Sequence, residues 1–98
     1  MEIIEPSKSG FTVYSKSGCP HCTIVKKFIK DKHFFVNEIN CDEYLLENKE
    51  GFLKFIEELA GKSCKTFPMV FYRGTFIGGL TDTIDTIDKI LLLFDEIF

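Results

Sequence analysis

The chain has no tryptophan, only three prolines in 98 residues, and no apolar run long enough to matter to a membrane. Its longest late apolar stretch, Ile90 to Phe94, spans five residues, where a helix crossing a bilayer needs about 20. The opening Met1-Glu2-Ile3-Ile4-Glu5-Pro6 lacks both the basic head and the apolar middle of a secretory signal. An excess of positive charge is missing as well. The net charge of −3 gives no general footing for nucleic acid. No repeat, linker or low-complexity tract interrupts the sequence. A chain without an export signal is expected in the cytoplasm, a reducing compartment where its four cysteines are not expected to serve as structural disulfides. There a Cys-x-x-Cys is either redox-catalytic or metal-binding.

What is present suits one folded unit. Hydrophobic residues make up 45% and charged residues 28% of the chain, a globular balance. A single domain over residues 1–98 is expected, with its core from about residue 11 onward. Eleven phenylalanines carry most of the aromatic packing. Charge is uneven along the chain: residues 1–41 hold six lysines against four acids, and residues 42–98 six basic residues against eleven acids. The first part is therefore +2 and the second −5, which leaves room for a local basic patch near the N-terminal cysteines.

Periodicity predicts alternating elements. Phe11 to Ser15 reads as a strand, because Thr12, Val13 and Tyr14 favour extended backbone. From Pro20 to about Lys32 the period becomes helical, with Ile24, Val25, Phe28 and Ile29 on one stripe and Lys26, Lys27 and Lys30 elsewhere. Phe34 to Asn40 reads as a second strand. A helical region from about Glu43 to Ala60 follows, interrupted near Asn48 or Gly51, with Phe52, Ile56 and Leu59 on one face. Met69–Tyr72 and Thr75–Ile77 flank Arg73-Gly74 as a hairpin. Thr83 to Phe98 is the last helix, Ile84, Ile87, Leu91, Phe94 and Phe98 recurring at three and four residues. The order β-α-β-α-β-β-α implies a small α/β sandwich: a right-handed parallel crossover, a hairpin joining the same sheet, and helices on both faces. Cys19 then falls in the loop after the first strand, at a helix start, which is where open α/β sheets place their chemistry.

Cys19-Pro20-His21-Cys22 is the motif that carries that chemistry. Residues three apart share a helix face, with Cα atoms about 5 Å apart, a separation a disulfide accepts. Pro20 suits the first helical position. Cys19 at the helix N-terminus gains from unpaired N–H groups and the macrodipole, both of which favour thiolate. Lys16, and His21 when protonated, add positive charge. Cys22, one turn in, is expected to be shielded. Thiol–disulfide exchange needs this asymmetry, one thiolate to attack and one partner to resolve. The competing reading is half of a zinc site completed by His21, Cys41 or Cys64. Yet His21 lies between the two cysteines and no second Cys-x-x-Cys or His pair follows, so no metal site is expected. Cys41 and Cys64 read as spectator thiols, His33 as a helix cap or an exposed residue, and Lys27 and Lys30 as a solvated face.

Three segments in register, Tyr14-Ser15-Lys16-Ser17-Gly18-Cys19-Pro20-His21-Cys22, Thr66-Phe67-Pro68 and Gly78-Gly79-Leu80-Thr81-Asp82, resemble the signatures of the dithiol glutaredoxins. The resemblance runs from about Phe11 onward. It implies a thioredoxin-like three-layer α/β sandwich with a mixed four-stranded sheet, and a glutathione-dependent thiol–disulfide oxidoreductase acting on protein disulfides and glutathione mixed disulfides. Cys19 would be the nucleophile and Cys22 the resolving thiol, tuned by Lys16, Pro20 and His21. Pro68 would be cis, turning the backbone of Phe67 toward the cysteinyl part of glutathione. Lys16 and Lys65 would hold the glycyl carboxylate, and Gly79, Thr81 and Asp82 the γ-glutamyl end. The last assignment also makes independent sense, since Gly78 and Gly79 permit close approach, the following helix start offers N–H donors, and Asp82 can face an ammonium.

The expected co-substrate is glutathione, with no tightly bound cofactor. The expected partners are disulfide-bonded or glutathionylated proteins, with no nucleic acid and no membrane. A monomer is expected, a dimer contact through the apolar Ile90–Phe98 end being the alternative. The chain departs from the family in three places: His21 stands where Tyr is usual, Phe67 where Val is usual, and four residues separate Gly61 from Thr66 where two are common. Histidine at that position resembles the periplasmic disulfide oxidases and leaves the redox potential open. Two other functions compete. A thioredoxin-like or disulfide-oxidase enzyme would work without glutathione, but the diglycine segment with Thr81-Asp82 and the lack of tryptophan speak against it. An iron–sulfur-binding glutaredoxin is disfavoured by Pro20.

Overall fold

The computed structural model of the chain describes residues 1–97, and side chains as far as residue 93. Its elements follow in the order β1 (Phe11–Ser15), α1 (Pro20–Asp31), β2 (Val36–Asn40), α2 (Asp42–Ala60), β3 (Met69–Tyr72), β4 (Thr75–Gly78) and α3 (Leu80–Ile97). The four strands form one sheet in the order β2-β1-β3-β4. Strand β1 runs parallel to β2 and antiparallel to β3, which pairs antiparallel with β4.

Alternation along the central strands divides the core in two. Phe11 and Val13 of β1 and Val70 of β3 face α1 and α3, where they meet Val25, Ile29 and Ile87. Tyr14, Met69 and Phe71 face the other way, onto Phe52 and Ile56 of α2, with Ile39 and Cys41 beside them. A sheet between two helical layers is the expected thioredoxin-like sandwich. Burying both faces of β1 explains why all five of its residues are buried, a pattern that a strand covered on one face never shows.

Several boundaries and contacts differ from the sequence reading. Strand β2 begins at Val36 because Phe34 is used to end α1. His33 takes the left-handed conformation (φ 65°), its N–H donating to the Lys30 carbonyl at 2.9 Å and that of Phe34 to the Ile29 carbonyl at 3.2 Å, the doubled closure of a Schellman cap. Helix α3 begins at Leu80, not Thr83, which draws Thr81 and Asp82 into its first turn. Ile24 and Leu59 are 49% and 37% exposed, since each lies at the margin of its helix's apolar stripe. Ile84 is half-buried. The expected packing of Phe94 and Phe98 lies outside the described side chains. The lysines of α1 are paired: Lys26 and Lys30 lie 3.7 and 3.3 Å from the Glu38 carboxylate, and Lys27 2.8 Å from Asp31. Exposed pairs of this kind contribute little.

The interruption expected in α2 falls at Asn48, whose backbone leaves helical geometry (φ −159°, ψ 78°). The Asn48 Oδ1 accepts the Gly51 N–H at 2.9 Å, which makes Asn48 the N-cap of a second helical segment. A Cβ on Gly51 would strike the same amide. Replacing Asn48 by Ala is expected to lower stability by about 1 kcal/mol, read as a lower urea midpoint at unchanged m. An unmoved midpoint would mean the cap contributes nothing.

Among the described residues, Cys41 and Tyr14 carry ionisable groups in the core. Burial pushes the Cys41 thiol up to about 12, with the nearby Asp42 charge adding to it, and burial likewise raises the Tyr14 phenol well above its usual range. The native state keeps protons that the unfolded chain loses from about pH 8.5 (thiol) and pH 10 (phenol) upward. Fewer protons on the unfolded chain mean that stability falls as pH rises through this window. Thermal unfolding between pH 8 and 11 is expected to show that decline, with a shallower slope in Cys41→Ala. Parallel slopes would remove Cys41 from the account.

Candidate active site

Strand β1 delivers the chain to the site, and the loop Lys16–Gly18 turns it into α1, Gly18 adopting φ 71°. Cys19 is the N-cap of α1, with extended backbone (φ −115°, ψ 96°) and Pro20 behind it in the first turn. Its sulfur accepts the Cys22 N–H at 3.2 Å, the position a serine or aspartate oxygen takes in an ordinary N-cap. Cys19 and Cys22 form a disulfide with Cα atoms 5.3 Å apart. Cys22 is 1% exposed, whereas Cys19 is half-buried. The asymmetry read from their spacing is therefore present: one sulfur at the surface, one beneath it.

The loop before Cys19 is held by a residue that the sequence reading passed over. The Asp42 carboxylate accepts from the Ser17 N–H at 2.9 Å and from the Ser17 hydroxyl at 2.5 Å. Those hydrogen bonds, side chain first and backbone second, hold the Asp42 carboxyl below the usual range, and the charge of Lys16 adds to them. The Cys41 N–H donates to the Ser15 carbonyl at 2.8 Å in the same seam. An acid at a helix start is an ordinary signal, but nothing local discloses a partner 25 residues upstream.

Around Cys19 opens a cleft of about 410 Å³, lined by Lys16, Pro20, His21, Lys65, Thr66 and Phe67, among others. Lys16, His21 and Lys65 are exposed, and Phe67 is half-buried. The Lys16 ammonium sits 5.5 Å above the centre of the Phe67 ring. The Phe67–Pro68 peptide bond is cis, and Pro68 is buried. A second cleft, about 440 Å³, shares Lys65 and Thr66 with the first and extends past Pro68 to Gly78, Gly79 and Asp82. The Asp82 carboxylate accepts the Gly79 N–H at 3.2 Å, closing the start of α3 in the manner of a capping box. Gly78 (φ 132°) lies so close to this carboxylate that any Cβ would strike it. Thr81 is exposed in the first turn of α3 and lines neither cleft.

The structure thus gathers Lys16, Cys19, Pro20, His21, Lys65 and Phe67 in one cleft and Lys65, Pro68, Gly79 and Asp82 in the next. Cys22 lies beneath the first, and Thr81 is left at the side. A larger groove of about 640 Å³ runs along α2 past Leu53, Glu57 and Cys64 without including Cys19; the disulfide, not the size of a hollow, locates the chemistry. Cys41 is buried and Cys64 half-buried, and each sulfur lies 3.7 Å from a backbone carbonyl. Among the described residues no three His, Cys, Asp or Glu side chains gather as a metal site would require, and no helix is long and apolar enough to cross a membrane.

Residues 11–77 match the family model for glutaredoxin. The human mitochondrial glutaredoxin-2 is 37% identical over 71 residues, covering 72% of this chain and 41% of its own length. Glutaredoxin 1 of Rickettsia conorii is 32% identical over 84 residues, covering 81% of this chain and 78% of that protein. The chain therefore spans less than half the length of the mitochondrial relatives it matches. Among solved structures, glutaredoxin 1 of Francisella tularensis complexed with cacodylate superposes with a TM-score of 0.72 at 25% identity, over 83% of this chain and 94% of its own. The buckwheat glutaredoxin–glutathione complex gives 0.66 at 25% identity, over 85% and 72%. A family match over most of the chain, a shared fold and a cysteine pair at the head of α1 lead to one conclusion: this chain belongs to the glutaredoxin family.

Proposed function

We propose that the protein is a glutathione-dependent thiol–disulfide oxidoreductase that reduces protein disulfides and glutathione mixed disulfides. The observation that carries the reading is Cys19 at the N-cap of α1, disulfide-linked to a buried Cys22 and opening on a cleft. After reduction, the Cys19 sulfur stays where unpaired N–H groups and the helix dipole favour thiolate, with the lysine charges of the cleft adding to them. The glutathione-bound state of a structural relative supports the choice of co-substrate. Such chemistry needs a compartment with a glutathione pool, which we take to be the cytoplasm.

In the proposed cycle the Cys19 thiolate attacks the glutathione sulfur of a mixed disulfide. The protein–glutathione S–S bond breaks, the protein thiolate leaves and takes up a proton, and Cys19 carries glutathione. A second glutathione thiolate attacks that sulfur, releasing oxidised glutathione and restoring the Cys19 thiolate. The sum is mixed disulfide plus one free glutathione giving protein thiol plus oxidised glutathione: the protein sulfur is reduced and the incoming glutathione sulfur oxidised. On a protein disulfide, Cys22 instead displaces the trapped substrate and closes the disulfide with Cys19, which two glutathiones then reopen. Lys16 and Lys65 receive the glycyl carboxylate, the backbone of Phe67 before cis-Pro68 meets the cysteinyl part, and Gly79 and Asp82 meet the γ-glutamyl end, with Thr81 at the rim beside them. Having Lys65 and Thr66 in both clefts supports one extended ligand lying across them.

Cys22→Ser is expected to keep most activity on a small glutathione mixed disulfide, assayed with glutathione and its reductase, while Cys19→Ser abolishes it. Complete loss in a folded Cys22→Ser protein would favour a dithiol enzyme that works without glutathione. Asp82→Asn tests the other end of the ligand. Asparagine can still accept the Gly79 N–H, so the start of α3 survives while the charge is lost. KM for glutathione is expected to rise by up to about tenfold, roughly 1.4 kcal/mol, with reduction of the Cys19–Cys22 disulfide by dithiothreitol unchanged. Equal losses with both reductants would make Asp82 purely structural.

A further inference from the structure

Phe67 stands out because its ring belongs to two environments at once. One side lies parallel to the Phe52 ring (centroids 6.1 Å apart, planes 6° apart). Phe52 is fully buried and stacks in turn on Tyr44 (5.6 Å, 16°). The Tyr44 hydroxyl accepts the Ile4 N–H at 3.2 Å, so the column is fixed at its far end by backbone and along its length by the core. At its near end the Phe67 ring helps line the cleft around Cys19, and the Lys16 ammonium stands over it at 5.5 Å.

Lysine is a poor choice for a precise grip, because its long stem samples many rotamers and ordering it opposes binding. A ring fixed from behind changes that balance. The π face attracts the ammonium and the stem lies along an apolar surface, so Lys16 spends more of its time at the cleft mouth before any ligand arrives. A smaller aliphatic side chain at position 67 would fill part of the gap over Phe52 but offer no face to a cation.

We propose that Phe67 is a positioning residue for substrate binding, acting through Lys16: the Tyr44–Phe52–Phe67 column presents one aromatic face that holds the Lys16 ammonium ready for a carboxylate of the incoming glutathione mixed disulfide. The inference rests on the functional reading above and adds a specificity element to it. Substrates lacking a carboxylate gain nothing from the column. The backbone of Phe67 keeps its place beside the cysteinyl part whatever side chain stands there, and the ring acts through the lysine, so the ring affects binding and not the exchange step.

The test is a double-mutant cycle on the full chain, with a small glutathione mixed disulfide as substrate and glutathione reductase as the coupling enzyme. Phe67→Leu keeps an apolar side chain and removes the face. It is expected to raise KM about twofold to fivefold, the range of an exposed cation–π contact, with kcat within twofold. Phe67→Tyr is expected to restore the wild-type KM. In a Lys16→Gln background the effect of Phe67→Leu should vanish. Phe67→Met makes the same comparison if the leucine variant folds poorly by circular dichroism. An undiminished Phe67→Leu effect in the Lys16→Gln background, a fall in kcat alone, or no rescue by tyrosine would each overturn the proposal. Wild-type protein that does not turn over the mixed disulfide would instead remove the functional reading beneath it.

Discussion

The first turn of a helix leaves backbone N–H groups without an acceptor four residues back; in α1, where Pro20 has none, these belong to Cys19, His21 and Cys22, and the site is organised around them. An ordinary helix gives the second or third helical N–H to an oxygen of Ser, Thr or Asp. Here the acceptor is sulfur: Cys19 caps the helix, and the Cys22 N–H points at it. The atom that ends the helix is therefore also the atom exposed to the cleft. Negative charge on that atom improves the cap, so the same electrostatics that close the helix favour the reactive form of the cysteine. Pro20, which has no N–H, removes one competing donor at no cost to the helix.

The surroundings keep that cap in place. Parallel β1 and β2 deliver two loops to the same end of the sheet, and Asp42 at the head of α2 takes both donors of Ser17, two residues before Cys19. At the third helix start, Asp82 reaches back to the Gly79 N–H. All three helices thus begin at the end of the sheet where β1, β2 and β4 finish. Unpaired donors and helix dipoles make such a region receptive to anions, which fits a ligand with two carboxylates lying across the paired clefts.

Local chemistry wrote much of this into the sequence. The order of all seven elements could be read from β-favouring runs, helical stripes and turn residues, because each of these signals is local to its element. The Cys19–Cys22 spacing disclosed the helix start and the disulfide geometry for the same reason: three residues on one helix settle a distance. Long-range partnerships were not legible. Nothing near Ser17 announces Asp42, and nothing near Lys16 announces a ring 51 positions away. The start of α3 at Leu80 lies ahead of the apolar repeat, which opens only at Ile84; the Thr83 hydroxyl, inside the first turn, donates back to the Gly79 carbonyl at 2.8 Å. Ile24 and Leu59 are apolar without being buried, because a stripe's margin is as apolar as its centre.

Residues before Phe11 lie outside the family match, yet they are part of the packed molecule. Tyr14 is fully buried, and its hydroxyl donates to the Ile4 carbonyl at 2.6 Å; Ile3 packs on the same core cluster. A chain trimmed to the family boundary would lose that acceptor and uncover the apolar cluster on which Ile3 packs, forfeiting a hydrogen bond of about 0.5–1.5 kcal/mol net together with the apolar contact. The boundary drawn by homology and the boundary drawn by cohesion are thus different lines. An expression strategy that starts at the first would cut into the second.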